Sequence, residues 1–276
     1  MIVDVDKAWD KLYVQLKNED LLVTDNDKAI AVSFFVKMRR VAAVAILCIC
    51  SGAIALYLNL RKDKELFVSI YNSEISNTLV STLEDGSIVF LSAGGMINCP
   101  ESFTSEKRRV SLQGEALFDV NSDKSRPFLI ETEPALVEIT GTELNIKSAG
   151  MESFELSVLN GSVNVTLKTT GISLQVESGE MVCLQSGHLQ KSLSPDRKQF
   201  ERYTQKMQFK DERLEYIVRV IQKMSGKSIT FSDDTLKNMV ITIAFNNNTV
   251  EEMIGLLCEV MDLNFTDDGN EIFIGR

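Results

Sequence analysis

Residues 41–60, VAAVAILCICSGAIALYLNL, run for 20 positions without a charged side chain. At about 1.5 Å of rise per residue, a helix of that length matches a bilayer's hydrocarbon core of about 30 Å. Lys37, Arg39 and Arg40 precede the stretch, and Arg61, Lys62 and Lys64 follow it. Tyr57 and Asn59 lie near its second end, where an amphipathic ring and an amide meet headgroups. A core helix of a soluble domain would keep a charged face, and a cleaved leader has a shorter apolar region nearer the chain start. The stretch therefore predicts a single transmembrane helix over 41–60. It divides the chain into a short tail, 1–40, and a long part, 61–276. The basic flanks nearly balance, and Lys28 tips the count toward a cytoplasmic N-terminus.

The formal net charge is −10. Seven acids balance seven bases in the first 40 residues and 41–60 holds neither, so the excess negative charge lies in the long part. Such a surface argues against direct, non-specific nucleic-acid binding there. Of the five cysteines, Cys48 and Cys50 fall inside the apolar stretch; Cys99, Cys183 and Cys258 are scattered without C-x-x-C or metal-ligand spacing. Buried free thiols are the expectation, with one bridge among the three left open. The single histidine, His188, has no partner spacing for metal or triad chemistry, and no phosphate-binding or nucleophile-elbow motif occurs. No catalytic residue, metal or cofactor is expected.

In the tail, DKAWDKLYVQL, 6–16, predicts a helix with Asp4 or Asp6 at its start. Ala8, Trp9, Leu12 and Leu16 share one face. A tail this short cannot enclose a core. Its apolar face either docks into a partner's groove, lies on a membrane surface or stays disordered.

From Phe67 to about Leu189 the pattern becomes short apolar runs separated by turn residues. Glu84-Asp85-Gly86-Ser87 is a turn, followed by the strand Ile88–Leu91. Runs at 109–112, 116–120, 128–131, 137–140, 144–147, 154–159, 162–167 and 173–176 are further strands, punctuated by Gly141, Gly161, Gly171, Gly179 and Gly187. Many short strands without helical periodicity predict an all-β unit, with sandwich and solenoid-like wrapping both open. After a linker ending at Ser194-Pro195, strands and helices alternate. Leu214, Ile217, Val218 and Ile221 share a helical face, 228–231 and 240–245 are strands, and Thr249 with Glu252 is a capping box. Met253, Leu256, Leu257 and Val260 form the next apolar face, and 264–274 reads as a hairpin.

The runs LEDGSIVFLSAG (83–94), PESF (100–103), RRVSLQGEALFDV (108–120), RPFLIET (126–132), GTELNIK (141–147), VLNGSVNV (158–165) and Ser178-Gly179-Glu180 resemble, in order, the FecR family of anti-sigma regulators. The resemblance covers roughly 78–189; Ser92 departs from it, where the family usually has Asn. The segment 207–276 resembles the short module of secretins and of the N-termini of TonB-dependent transducing receptors, through the strand 239–245 and the helix 249–261.

The resemblance implies a membrane-anchored architecture: a sigma-binding tail (1–40), a transmembrane helix (41–60), a juxtamembrane segment (61–77), an all-β FecR-like domain (78–190), a linker (191–206) and a small α+β module (207–276). It implies a non-enzymatic inner-membrane protein, N-terminus cytoplasmic and C-terminus periplasmic. That protein would couple an outer-membrane TonB-dependent transporter, through the transporter's signalling domain, to an extracytoplasmic-function sigma factor. Trp9, Leu12 and Leu16 are the candidate sigma contacts, chosen from the helical face. The alternative is a membrane-anchored periplasmic β-protein with a structural or adhesive role and no sigma partner. Glu115 beside Gly114 has no paired acid, base or nucleophile, so a catalytic role for it is not expected.

Overall fold

The computed structural model describes residues 5–19, 21, 46, 48–54, 67–75, 77–193 and 198–276. The chain forms two compact units, Met1–Lys64 and Glu65–Arg276.

The first unit holds helix α1, Val5–Asn18, with Asp6 in its first turn and Lys17 in its last, each placed to oppose the helix dipole. Further on, residue 46 and residues 48–54 are helical. Among the described residues no helix is long and apolar enough to cross a membrane. This corrects the membrane-anchored fold class and, with it, the single-pass inner-membrane placement. The helical run 48–54 rises about 10 Å, a third of a hydrocarbon core. The remainder of 41–60 lies outside the described residues, as do the flanks Lys37–Arg40 and Arg61–Lys64.

The second unit is mostly β-sheet. In chain order it contains β1 (Phe67–Tyr71), β2 (Thr78–Thr82), β3 (Ile88–Leu91), β4 (Met96–Pro100), β5 (Arg108–Asp119), β6 (Phe128–Glu131) and β7 (Ala135–Ile139). Then come β8 (Glu143–Ser148), β9 (Phe154–Asn160), β10 (Ser162–Leu167), β11 (Ser173–Glu177), β12 (Glu180–Gln185) and β13 (His188–Leu193). Helix α2 (Lys198–Gln205) leads to β14 (Lys206–Arg213), α3 (Leu214–Ser225), β15 (Ser228–Phe231), a 3₁₀ turn (Asp234–Asn238) and β16 (Val240–Asn246). Helix α4 (Val250–Met261), β17 (Asn264–Asp267) and β18 (Glu271–Gly275) end it.

Two layers share the long strand β5. One layer runs β1-β4-β5-β6-β7-β10-β11, through the first half of β5. The other runs β13-β12-β9-β8-β5-β3-β2-β14-β16, through its second half. The corner falls at Gly114, whose φ of 96° suits glycine, and where a Cβ would meet the Gly95 Cα at 2.9 Å. Ile97, Val110, Phe118, Phe128, Ile130, Val137, Leu144, Ile146 and Leu156 fill the space between the layers.

The second layer is also covered on its outer face. Along β3, Val89 and Leu91 enter the inter-layer core, while Ile88 and Phe90 enter a second core with Met207, Phe209, Ile217, Ile221, Phe245 and Leu257. Burial on both faces explains why the Ile88–Leu91 run is continuously apolar rather than alternating. Leu214, Ile217, Val218 and Ile221 are all buried, at the spacing of one face of α3. That helix ends at Gly226, in the left-handed region at φ 69°. A separate three-stranded sheet, β15-β18-β17, packs Ile229, Ile272 and Ile274 into the same core. The segment expected to be a small α+β module joins the large sheet through β14, which pairs parallel to β2, Met207 opposite Thr78 and Phe209 opposite Val80.

Candidate functional site

Helix α1 buries none of its residues. Trp9 is 65% exposed and Leu12 46%, and Leu16 is half-buried. At 3.6 residues per turn, Val5, Trp9, Leu12 and Leu16 fall within a sector of about 60°, while Asp6, Asp10, Lys7, Lys11 and Lys17 occupy the opposite half. The helix therefore brings together all three residues singled out from the sequence. Val5 and Tyr13, both exposed, extend the stripe; the i, i+4 spacing to Trp9 was the signal that could have found them. The stripe carries no proton donor or nucleophile beyond the Trp9 indole N–H and the Tyr13 hydroxyl. Its chemistry is that of the exposed apolar face of an amphipathic helix.

In the second unit, the turn before β3 is fastened from several sides. Asp85 accepts hydrogen bonds from the Ser87 N–H and hydroxyl. Its Oδ2 lies 2.6 Å from Arg108 Nη1, and both side chains are sealed from water. Arg108 also donates to the Asn121 and Arg126 carbonyls and stands 5.3 Å over the Phe128 ring. Arg219, from α3, donates to the Gly86 carbonyl at 3.1 Å. A second fastening is Tyr203 on α2. Its hydroxyl lies 2.7 Å from Asn145 Oδ1 and 2.9 Å from Glu115 Oε1, two acceptors that share its one proton. Burial, above all, raises its hydroxyl pKa well above the usual phenol range, so it stays protonated. Glu115 is thus a hydrogen-bond partner of buried groups.

The line where β14 meets β2 adds polar contacts. Gln208 donates to Asn72 Oδ1 (3.0 Å), Asn77 to Asn246 Oδ1 (3.1 Å), and the Thr82 N–H to Glu212 Oε2 (3.1 Å). Burial raises the Glu212 carboxyl above its ordinary range, and it raises Glu143 similarly, against the pull of Lys223. At the far side, β16 pairs only with β14 among the described residues, and Val240, Thr242 and Ala244 are exposed on its outer face. The strand carries no charge.

Cys99 and Cys258 are buried and Cys183 half-buried, all as free thiols, and burial pushes Cys258 up to about 11. His188 opens β13 in an exposed position. Among the described residues no group of three or more His, Cys, Asp or Glu side chains is placed to hold a metal. A groove of about 650 Å³ beside α3 is lined by Asp119, Arg219, Lys223 and Lys227 among others. Two of its cations are paired, Lys223 with Asp119 and Glu143, and Lys227 with Asp267.

Two family models match the chain: FecR protein over residues 70–164, and FecR, C-terminal, over residues 206–274. No curated protein matches. The chain is also similar to two crystal structures of an anti-sigma factor candidate from Parabacteroides distasonis ATCC 8503. One, at 2.50 Å resolution, is 22% identical with a TM-score of 0.47, over 76% of this chain and 99% of that one. The other, at 1.65 Å, is 22% identical with a TM-score of 0.46, over 75% and 98%.

Proposed function

Because the chain belongs to the FecR family, we propose that it regulates an extracytoplasmic-function sigma factor, which α1 binds through Trp9, Leu12 and Leu16. The observation that carries this reading is the exposed apolar stripe of α1, on a helix with no buried residue of its own. An indole and two leucines at helical spacing are the anchors expected of a helix-in-groove contact, in which a few buried side chains dominate affinity.

The signal that governs α1 arrives at the second unit, and its source is the signalling domain of a TonB-dependent transporter. The free, uncharged edge of β16 supports this part of the reading, because strand addition supplies main-chain hydrogen bonds without requiring a deep pocket. Regulation then requires that the transporter domain bind two states of the chain with different affinity, one of which leaves the α1 stripe available. Nothing in the reading calls for catalysis.

The test presents purified wild-type chain and Trp9→Ala with the purified extracytoplasmic-function sigma factors of the same cell. Retention of one sigma factor by the wild type, lost in the variant, supports the assignment. Retention of none, or equal retention by both, overturns it.

A further inference from the structure

Strand β1 forms one edge of the first layer and, among the described residues, pairs only with β4. It reads Phe-Val-Ser-Ile-Tyr, with neither charge nor proline. Phe67 is 56% exposed and Tyr71 57%, and Val68 is exposed as well. Sheet edges are ordinarily blunted with charges, prolines or covering groups. The opposite edge of the same layer follows that rule: β11 carries Gln175 and Glu177, and Lys191 Nζ donates to the Gln175 carbonyl at 3.2 Å.

The hydrogen-bond phase of the exposed edge follows from its neighbour. The Asn72 N–H donates to the Gly95 carbonyl, and the Asn72 carbonyl accepts from the Gly94 N–H, so the backbone at Asn72 faces inward. In an antiparallel ladder the facing alternates residue by residue. The backbone groups of Tyr71, Ser69 and Phe67 therefore face away from β4, toward the open edge.

The strand is also palindromic in chemical type about Ser69: aromatic, aliphatic, serine, aliphatic, aromatic. We propose that a second copy of this chain adds its own β1 antiparallel to this edge, across a two-fold axis at Ser69. In that register Phe67 lies opposite the second copy's Tyr71, Val68 opposite Ile70, and Ser69 opposite its equivalent. The three outward residues of each strand supply up to about six backbone hydrogen bonds. Aromatic pairs directly opposite one another add side-chain contact. In a chain of net charge −10, an uncharged strand meets its copy without juxtaposing like charges. A five-residue strand pair is short of the ~1,200–2,000 Å² of a standard interface, so the dimer is weak and concentration-dependent. It extends the first layer continuously from one copy into the next.

Sedimentation velocity of the full chain over a concentration series tests this. The wild type is expected to pass from monomer to dimer. Ser69→Pro removes an outward N–H from the edge, and its self-association is expected to weaken at least about tenfold with the circular dichroism spectrum retained. A second variant guards against a folding defect. Directly opposed, hydrogen-bonded residues have Cα atoms about 5.5 Å apart, within disulfide reach. Ser69→Cys, with Cys48 and Cys50 replaced by Ser, is therefore expected to form a disulfide dimer under mild oxidation. Ile172→Cys, exposed in the turn before β11, is expected not to. A monomer at every concentration overturns the proposal. So does a dimer indifferent to a correctly folded Ser69→Pro, or crosslinking at position 69 no greater than at 172.

Discussion

Arg108 and Asp85, 23 positions apart in the chain, meet at 2.6 Å with both side chains closed off from water. The pair ties the turn before β3 to the start of β5, and Arg108 continues to the Arg126 and Asn121 carbonyls. Removing one member leaves the other charge buried and unpaired, which costs about 3–5 kcal/mol. Asp85→Ala is expected to lower the unfolding free energy by that order in urea titration. Replacing both, Asp85→Ala with Arg108→Met, is expected to recover much of the loss, because no bare charge remains. A double-mutant cycle reads the coupling directly.

The Tyr203 hydroxyl holds α2 against β5 and β8 through Glu115 and Asn145. Tyr203→Phe takes the hydroxyl away from the buried Asn145 amide oxygen and the half-buried Glu115 carboxylate. It is expected to cost about 1–3 kcal/mol, with no compensating gain from the lost hydroxyl. Thermal or urea unfolding checks it, and Phe rather than Ala separates the hydroxyl from the packing of the ring.

How much of this was legible in the sequence differs by element. The Thr249–Glu252 capping box was readable because both members lie within four residues, and both of its hydrogen bonds are present. The Leu214, Ile217, Val218 and Ile221 face was readable from period alone. The α4 face was displaced: Met253 and Leu257 are buried as expected, but Leu256 is partly exposed, Val260 is 62% exposed, and Ile254 and Cys258 take the inward positions. Neighbouring apolar residues left two faces nearly equal in period, and the packing against β17 and the second core decided between them. Asp85-Gly86 was legible as a turn, but its partner Arg108 was not, since nothing local in RRVSL marks an arginine for burial. The pairing of β14 with β2 had no local signal either. The apolar stretch 41–60 gave the strongest expectation of all, and the fold class and placement drawn from it are corrected, with only 46 and 48–54 described as helical there.

Trp9→Ala and Leu12→Ala are expected to weaken sigma-factor binding by about 10- to 100-fold each, the range of a well-buried interface anchor. Val14→Ala lies on the opposite side of α1, at a position just as open to water, and is expected to leave affinity within about twofold. Isothermal titration calorimetry distinguishes the two faces. Circular dichroism confirms that the helix persists in each variant.

Glu212 sets a pH dependence of definite sign. Burial raises its folded carboxyl above the ordinary 4.5, outweighing the help from the Thr82 and Arg213 N–H groups. The folded state then holds its proton to higher pH than the unfolded chain, so this residue's destabilising contribution is absent below about 4.5 and develops as pH rises through the raised folded value. Glu131 acts in the reverse sense. Lys168, and secondarily Arg109, keep it low, so its stabilising contribution is present above 4.5 and is lost as pH falls through its depressed folded value. Glu212→Gln is expected to gain stability relative to wild type as pH is raised from 4.5 toward neutrality. Urea unfolding at several pH values over that window measures the difference.

The parallel pairing of β2 with β14 has a consequence for the order of assembly. Thr78 sits opposite Met207, so a chain emerging from the ribosome completes β1 to β13 well before that partner exists. Until then Val80, Ile88, Phe90 and Leu117 form an apolar surface waiting for residues not yet synthesised. Pairing across so long a sequence separation is intrinsically slow. The nascent chain therefore passes through an obligatory sticky interval, and a copy cut short before residue 206 would remain in it permanently, a natural substrate for chaperones and proteases.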